Sequence, residues 1–216
     1  MKYTHLIFDL DGTLTDSGLG ILRSAQYALE HFGIHVEDLQ ELRPFVGPPL
    51  EQSFQRFYGL NEEEALEACR VYRVRYREIG VYENEVYPGI PEALQQLQEA
   101  GYQLMIGSSK PIDMVDIVLD HFHLRRFFNY IGARDMEGRL YSKSDVLRDL
   151  LCRATAAGEQ QRMLMIGDRK FDVEGAHELG MPCVGVLWGY GDRAEMEACG
   201  ADFIAERVSD LTGLLI

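Results

Sequence analysis

The sequence predicts an α/β protein that has a Rossmann-like parallel sheet and an α-helical domain inserted after the first strand. From Gly89 onward, short apolar runs alternate with amphipathic stretches of helical periodicity. The short runs are apolar throughout, which is typical of parallel strands buried on both faces. Residues 17–83 break this alternation and have helical periodicity instead. We therefore predict a core domain of residues 1–16 and 84–216 and a helical cap domain of residues 17–83.

The composition is that of an ordinary globular protein, because 46% of the 216 residues are hydrophobic and 26% are charged. The net charge of −14 at pH 7 would repel a nucleic-acid polymer or an anionic membrane, so neither is expected as a partner. The four cysteines are widely spaced without a CxxC pair, and only three consecutive apolar residues precede Asp9, too few for a signal peptide. These features favour a reduced, cytoplasmic setting and leave the oligomeric state open.

The core domain is predicted from strands and helices that alternate along the chain. The first strand is THLIFD, and the first helix after the insert is IPEALQQLQEAG, with Pro91 in its first turn and Gly101 at its C-terminal stop. The later strands are predicted in YQLMIGSS, FFNYIGA, RMLMIGD, PCVGVLWG and ADFIA. The helices between them are predicted in PIDMVDIVLDHFHL, SKSDVLRDLLCRATAAG, FDVEGAHELG and RAEMEACG.

The inserted domain is predicted to be entirely helical. Its first helix, GILRSAQYALEHFG, ends at Gly33 and has apolar residues at helical spacing: Ile21, Ala25, Ala28, Leu29 and Phe32. Its last helix, NEEEALEACRVYRVRYREIG, begins with a capping box of Asn61 and Glu64. The apolar residues expected along that helix are Leu66, Tyr72, Tyr76 and Ile79. Between the two helices, LRPFVGPPLEQSFQRFYG indicates a Pro/Gly loop and one more short helix, and the whole insert would serve as a lid or cap.

Four aspartates follow two of the predicted strands. Asp9 and Asp11 are two residues apart at the end of the first strand, so their side chains point the same way. Asp168 directly follows the strand RMLMIGD, and Asp172 is four residues further on. If the two strands are adjacent, the four carboxylates meet at the carboxyl edge of the sheet, where ligands bind in open parallel sheets. Such a cluster repels itself unless a hard divalent cation is bound, and oxygen ligands favour Mg²⁺.

A serine and a lysine complete a candidate phosphate site. Ser108 follows the strand QLMIG, where its hydroxyl and the next backbone amides can donate hydrogen bonds to phosphate oxygens. Its neighbour Ser109 could take the same role. Lys143 precedes a predicted helix and could neutralise the same anion as a point charge, although a lone lysine is more often a surface residue.

These motifs resemble those of the haloacid dehalogenase superfamily, in particular its phosphoglycolate phosphatase-like and 5'-nucleotidase-like branch with a helical C1 cap. DLDGTLTDS is similar to the first motif, GSSKP to the second, SKSD to the third and GDRKFD to the fourth. A single DxDG is weak evidence, but four motifs in order along the whole chain are strong evidence. The resemblance implies a phosphatase that acts on a small phosphorylated metabolite with Mg²⁺ as cofactor.

The resemblance also implies a role for each matched residue. Asp9 would be the nucleophile that forms an aspartyl-phosphate, and Asp11 would be the general acid and base. Asp9, the backbone carbonyl of Asp11, and Asp168 would hold Mg²⁺, with Asp172 in support. The residues expected to bind the transferring phosphoryl group are Ser108, with Ser109 as its alternate, and Lys143.

These residues also allow functions other than a phosphatase to be considered. A calcium loop starting at Asp9 is excluded, since its sixth and twelfth positions are Leu14 and Gly20. A dehalogenase would not need Asp11, and a phosphonatase would need a cap lysine, which residues 17–83 lack. A sugar phosphomutase of the β-phosphoglucomutase type and a non-catalytic phosphate-binding module both stay open as alternatives.

The substrate is expected to be selected by the cap. RPFVGPPL is the candidate specificity loop, in which Gly47 and the following prolines make a rigid turn. Arg23 and Arg43 are the cap charges expected to contact substrate, and Lys110 is expected either at the pocket rim or on the surface at a helix start. Physical reasoning alone does not separate phosphoglycolate from a nucleoside 5'-monophosphate.

Overall fold

A computed structural model describes residues 3–135, 140, 142–154 and 162–216 of the chain. Their contacts divide the chain into two compact units. The first is Met1–Asp16 together with Val86–Ile216, and the second is Ser17–Glu85. Because the second unit is a continuous insertion in the first, the chain leaves the first unit after Asp16 and returns to it at Val86.

The bounds of the regular elements follow the alternation expected from the sequence. The strands are β1 (His5–Phe8), β2 (Thr15–Asp16), β3 (Glu85–Val86), β4 (Gln103–Pro111), β5 (Tyr130–Arg134), β6 (Met163–Gly167), β7 (Cys183–Val186) and β8 (Phe203–Ala205). The α-helices are α1 (Gly18–His31), α2 (Leu50–Tyr58), α3 (Glu62–Glu78), α4 (Ile90–Glu99), α5 (Ile112–His121), α6 (Lys143–Ala154), α7 (Lys170–Glu178), α8 (Arg193–Ala198) and α9 (Val208–Leu215). Short 3₁₀ helices span Leu39–Phe45, Gly80–Tyr82 and Arg125–Phe127.

The first unit is built on a six-stranded sheet in the order β5-β4-β1-β6-β7-β8. Each neighbouring pair in this sheet is parallel. This architecture confirms the predicted α/β class with a Rossmann-like parallel core. The order places β1 between β4 and β6, so the chain crosses to opposite sides of β1 at the point where a doubly wound sheet binds its ligands.

A buried row of side chains covers one face of the sheet. In the register of the sheet, Ile7 is paired with Met105 on one side and with Met165 on the other, and Met165 is paired with Cys183. These four residues pack in one core cluster with side chains of α6, α7 and α8. Right-handed crossovers put α4 and α5 on the opposite face. Both faces are therefore buried, which is the physical reason why the strands are apolar throughout.

The C-terminal helix α9 is an element that the sequence analysis did not predict, although Val208, Leu211 and Leu215 are apolar at helical spacing. The helix predicted in SKSDVLRDLLCRATAAG is observed as Lys143–Ala154, and its remaining residues lie outside the described part of the chain. Within the described residues, the structure has no helix that is both long and apolar enough to cross a membrane.

The second unit is helical, with α1 packed against α3 and α2 also packed against α3. The capping box of α3 is confirmed, because Asn61 and Glu64 exchange side-chain to backbone hydrogen bonds of 2.9 and 3.0 Å. The expectation that Leu66 and Ile79 belong to the buried face was wrong, since their exposed fractions are 45% and 52%. The buried face of α3 is one residue out of phase with Leu66 and consists of Ala65, Ala68, Cys69, Tyr72 and Tyr76.

Candidate active site

Three neighbouring strands bring the predicted functional residues to one edge of the sheet. Asp9 follows β1, Asp168 follows β6, and Ser108 lies in β4, on the other side of β1. The backbone amide of Asp9 donates to the carbonyl of Ile166, which continues the pairing of β1 with β6 up to this edge. The strand order therefore brings together residues that are up to 159 positions apart along the chain.

An acidic cluster forms at this edge. Asp9, Asp168 and Asp172 each offer a carboxylate oxygen, and these oxygens all lie within 4.8 Å of one another. Asp168 is fully buried, and its Oδ2 accepts a hydrogen bond of 2.8 Å from the backbone amide of Tyr190. The side chain of Asp172 folds back onto the start of α7, where the amide of Arg169 donates to its Oδ2 at 3.0 Å.

Lys143, the first residue of α6, supplies a buried positive charge to this cluster. Its Nζ lies 3.0 Å from Asp9 Oδ1 and 2.7 Å from Asp172 Oδ1, and it donates to the carbonyl of Gly107 at 2.8 Å. The ammonium therefore bridges β4, β1 and α7. The backbone of Gly175 lies against the lysine stem, since a Cβ atom at that position would be 2.7 Å from Lys143 Cγ.

The crowding shifts the protonation of the cluster. Burial raises the pKa of Asp9 to about 6, although the Lys143 ammonium opposes the shift. Burial and the charges of Asp172 and Asp9 hold the pKa of Asp168 well above its usual range. For Lys143, burial alone would lower the pKa, but the two neighbouring carboxylates raise it above its usual range. The lysine therefore stays charged, while the carboxylates lack enough positive charge to balance them.

The second aspartate of the first motif has a different partner. Lys110 Nζ donates to both carboxylate oxygens of Asp11, at 2.9 Å each. Lys110 is buried, so the structure places it neither on the surface nor at an exposed rim. Ser108 is buried beside it, with its Oγ accepting from the Lys110 amide at 3.3 Å, whereas Ser109 is exposed.

The residues present fit a divalent cation. The edge carries four carboxylates, of Asp9, Asp11, Asp168 and Asp172, against the two buried ammonium groups, so two negative charges are left over when all are ionised. Among the described residues, buried oxygens of Asp9 and Asp172 have ion-pair contacts with Lys143 but no hydrogen bond of normal geometry. A hard cation with oxygen ligands would supply the missing charge and coordinate such oxygens.

Sequence reasoning placed Trp188 near the edge of the site but missed the rest of the loop after β7, which contacts the site from the side of β6. Trp188 Nε1 donates to the carbonyl of Thr13 at 3.0 Å, and the Tyr190 hydroxyl donates to Asp16 Oδ1 at 2.8 Å. Gly189 allows close approach, because a Cβ atom there would lie 2.3 Å from the carbonyl oxygen of Gly12. The sequence signal was the run WGYG at the end of the predicted strand PCVGVLWG, since glycine there allows a close approach of two backbones.

The predicted specificity residues other than Lys110 lie in the second unit. Arg23 forms an ion pair of 2.8 Å with Glu83, so its charge is already partnered. Arg43 is an exposed residue in the last turn of its 3₁₀ helix. Gly47 has a positive φ of 109°, as expected for a tight turn in this loop. Their roles in substrate selection stay predictions.

Comparison with known proteins gives consistent matches over most of the chain. The family model described as haloacid dehalogenase-like hydrolase matches residues 6–186. A 5'-nucleotidase from Pseudomonas aeruginosa is 42% identical over 198 residues, which cover 92% of this chain and 89% of that protein. The tyrosine-protein kinase PtkA of Mycobacterium tuberculosis is 39% identical over 186 residues, which cover 86% of this chain and 62% of that protein.

Solved structures agree with this assignment. The crystal structure of a predicted phosphatase from Clostridium acetobutylicum matches with a TM-score of 0.94 and 39% identity, over 99% of this chain and 98% of that one. The family match covers well over half of the sequence, and it includes the residues that converge at the edge of the sheet. The chain therefore belongs to the haloacid dehalogenase-like hydrolases, and it is a phosphatase of that family.

Proposed function

We propose that this phosphatase hydrolyses a small phosphomonoester with Mg²⁺ as cofactor and through an aspartyl-phosphate on Asp9. One observation carries the proposal: the carboxylate of Asp9 lies beside a buried acidic pair and 3.0 Å from a buried ammonium, while a second carboxylate, that of Asp11, lies two residues on. A site that only binds phosphate would not need four carboxylates, which repel an anion.

In this proposal the chain's own residues divide the chemistry. Asp9 Oδ attacks phosphorus as the bond to the leaving oxygen breaks, and Asp11 gives that oxygen a proton. Asp11 then takes a proton from water as the water oxygen attacks phosphorus and releases Asp9. Ser108 and Lys143 would donate to the phosphoryl oxygens, with Ser109 as an alternate donor.

The metal would be held by Asp9, Asp168 and the backbone carbonyl of Asp11, with Asp172 in support. When bound, Mg²⁺ supplies positive charge that neutralises the phosphoryl oxygens and lets the carboxylate of Asp9 approach them. Without Mg²⁺ the site would retain two uncompensated negative charges. We therefore expect no useful affinity for a phosphate dianion in the absence of the cation.

A nucleoside 5'-monophosphate is our first candidate substrate. Support comes from the 5'-nucleotidase of Pseudomonas aeruginosa, which is 42% identical over 92% of this chain. Phosphoglycolate is the second candidate. The cap residues proposed to choose between them are Arg23, Arg43 and Gly47. A panel of nucleoside monophosphates, phosphoglycolate and hexose phosphates would rank the candidates by kcat/KM.

The mechanism is tested by phosphate release from an aryl phosphate, with and without Mg²⁺, in the wild type and in Asp9→Asn. We expect the substitution or chelation to lower kcat by at least about 10³-fold, because the first removes the nucleophile and the second the charge that admits the substrate. Asp149→Asn is the matched control, since Asp149 forms an i,i+4 surface ion pair with Arg153. Full activity of Asp9→Asn, or of the chelated enzyme, would refute the mechanism.

Two alternatives give different results in the same assays. A phosphomutase would convert β-glucose 1-phosphate to glucose 6-phosphate without net release of phosphate. A non-catalytic module would bind phosphate but release none from any ester. Acid-quenched enzyme labelled from a radioactive ester, with the label absent in Asp9→Asn, would support the covalent route of the proposed phosphatase.

A further inference from the structure

Lys110 contacts both oxygens of Asp11, although one contact would be enough to balance the charge of the carboxylate. The ammonium donates to both oxygens of the carboxylate at equal distances of 2.9 Å, and the side chain of Lys110 is only 5% exposed. The other buried ammonium, that of Lys143, bridges Asp9 and Asp172. Each lysine thus serves a different aspartate of the first motif.

The backbone around Lys110 keeps its side chain in this direction. Lys110 lies near the end of β4, where the register with β5 shifts between Ser108 and Pro111. Its amide donates to Ser108 Oγ at 3.3 Å. An irregularity of this kind turns a side chain out of the alternation of the strand and can aim it at a neighbouring site.

We propose that Lys110 is a positioning residue that holds the carboxyl group of Asp11 in line with the leaving-group oxygen. This inference rests on the proposed function, since it takes Asp11 as the proton donor. A carboxyl group that carries its proton on one oxygen can still accept from Lys110 with the other. Protonation of one oxygen would leave Lys110 bonded to the other, so the protonated oxygen would be the one free to face the leaving group, and Lys110 itself gives up no proton.

The dependence of the rate on the leaving group isolates this role. An alkyl alcohol must be protonated as its bond to phosphorus breaks, whereas dinitrophenolate leaves without a proton. The ratio kcat/KM reports the steps up to departure of the first leaving group, and so it excludes the later attack by water. A misplaced Asp11 should lower kcat/KM for an alkyl phosphate and spare it for a dinitrophenyl phosphate.

We expect Lys110→Met to lower kcat/KM for an alkyl phosphate by about 10- to 100-fold, part of the 10²- to 10⁴-fold effect of a general acid. For 2,4-dinitrophenyl phosphate we expect a loss below about 3-fold. Lys110→Arg, which keeps donors for the carboxylate, should recover part of the alkyl activity. Lys170→Met is the matched control, because Lys170 is exposed with its ammonium over the ring of Phe171.

Asp11→Asn separates failure of this inference from failure of the proposed function. Suppose that Asp11→Asn lowers kcat/KM selectively for the alkyl phosphate. If Lys110→Met then lowers kcat/KM equally for both substrates, or for neither, the positioning role of Lys110 is wrong. If Asp11→Asn itself shows no dependence on the leaving group, the proposed acid is wrong. Thermal melting of each variant identifies a loss of activity that comes from unfolding.

Discussion

At the scale of single residues, the candidate active site depends on a backbone conformation that only glycine adopts without strain. Gly12 has a φ of +83°, and a Cβ atom there would lie 2.2 Å from Asp168 Oδ2. The loop after Asp11 therefore passes directly over a carboxylate that we assign to the metal. Any side chain at this position would add backbone strain and would also displace the carboxylate.

We expect Gly12→Ala to lower kcat by at least about 10-fold and to weaken Mg²⁺ binding, because Asp168 must move. Gly33→Ala is the control, since Gly33 has a similar φ of +72° but open space around its Cβ position. Strain alone costs about 1 to 2 kcal/mol in stability and should leave the kinetics of the control unchanged. Equal kinetics in the two variants would contradict this account of Gly12.

The roles of individual residues were predictable to different degrees. Asp9, Asp11 and Asp168 stand out in the sequence because each follows an apolar strand. Lys110 does not, since a lysine before a helix is more often a surface residue, and its pairing with Asp11 requires contact across 99 positions. The contribution of Tyr190 to Asp168 comes from its backbone amide, which no side-chain pattern can indicate.

At the scale of elements, one carboxylate joins two helices of the second unit. Glu83 Oε2 accepts from Arg75 of α3 at 2.8 Å, and its Oε1 accepts from Arg23 of α1 at 2.8 Å. The backbone carbonyl of Glu83 also accepts from Gly20 at 3.1 Å, near the start of α1. The hydrogen bond from Arg75, followed by the weaker influence of Arg23, holds the pKa of Glu83 below its usual range.

We expect Glu83→Gln to lower the free energy of unfolding by about 1 to 2 kcal/mol near pH 7, since a charge-assisted pair is lost at a partly exposed site. A carboxyl group whose pKa is lowered by folding stabilises the protein above its unfolded pKa. That contribution is lost as the pH falls through the lowered, folded value. The difference between wild type and variant should therefore shrink between about pH 5 and pH 3.

Urea unfolding of both proteins across this pH range measures the difference. Glu67→Gln is the matched control, because Glu67 pairs with Arg70 one turn away on the surface of α3 at 37% exposure. Surface pairs contribute little, so the control should differ from wild type by less than about 0.5 kcal/mol. A Glu83→Gln difference that grows toward low pH would contradict the sign of this argument.

At the scale of the whole molecule, the clustered acidic charge lowers stability but serves the proposed function. The chain has 35 acidic residues against 21 basic ones, and it brings four of the acidic groups close together at one sheet edge, where Asp168 and Asp172 are buried. Without a cation these groups repel one another and oppose folding. Removing one of these charges is therefore expected to raise the stability of the protein and to lower its activity.

We expect Asp168→Asn to raise the melting temperature of the metal-free protein by about 2 to 4 °C at pH 8, because one buried charge is removed and the acceptor for the Tyr190 amide is kept. Adding Mg²⁺ at about 100 times its Kd should stabilise the wild type by about 2.7 kcal/mol and the variant far less. Asp149→Asn again serves as the surface control. A variant that melts below the wild type without metal and gains as much from Mg²⁺ would disprove this assignment.

The sequence by itself determined the α/β class, the helical pattern of the inserted segment and the helix caps, and it singled out the residues that we propose for the chemistry. These features are local: periodicity, capping and short motifs act between residues that are near in the chain. The phase of the buried face of α3 was partly wrong because Leu66 is apolar but lies one position off that face. Burial depends on what packs against a helix and not on the helix alone.

Only the tertiary structure decided that β1 lies between β4 and β6, and that order brings Asp9, Ser108 and Asp168 to one edge. It also decided which lysine neutralises which aspartate: Lys143 contacts Asp9, and Lys110 contacts Asp11. The physical reason is that strand order and buried ion pairs depend on contacts between distant segments. Such contacts form only in the folded protein, where both partners are removed from water, so their energies cannot be inferred from local sequence.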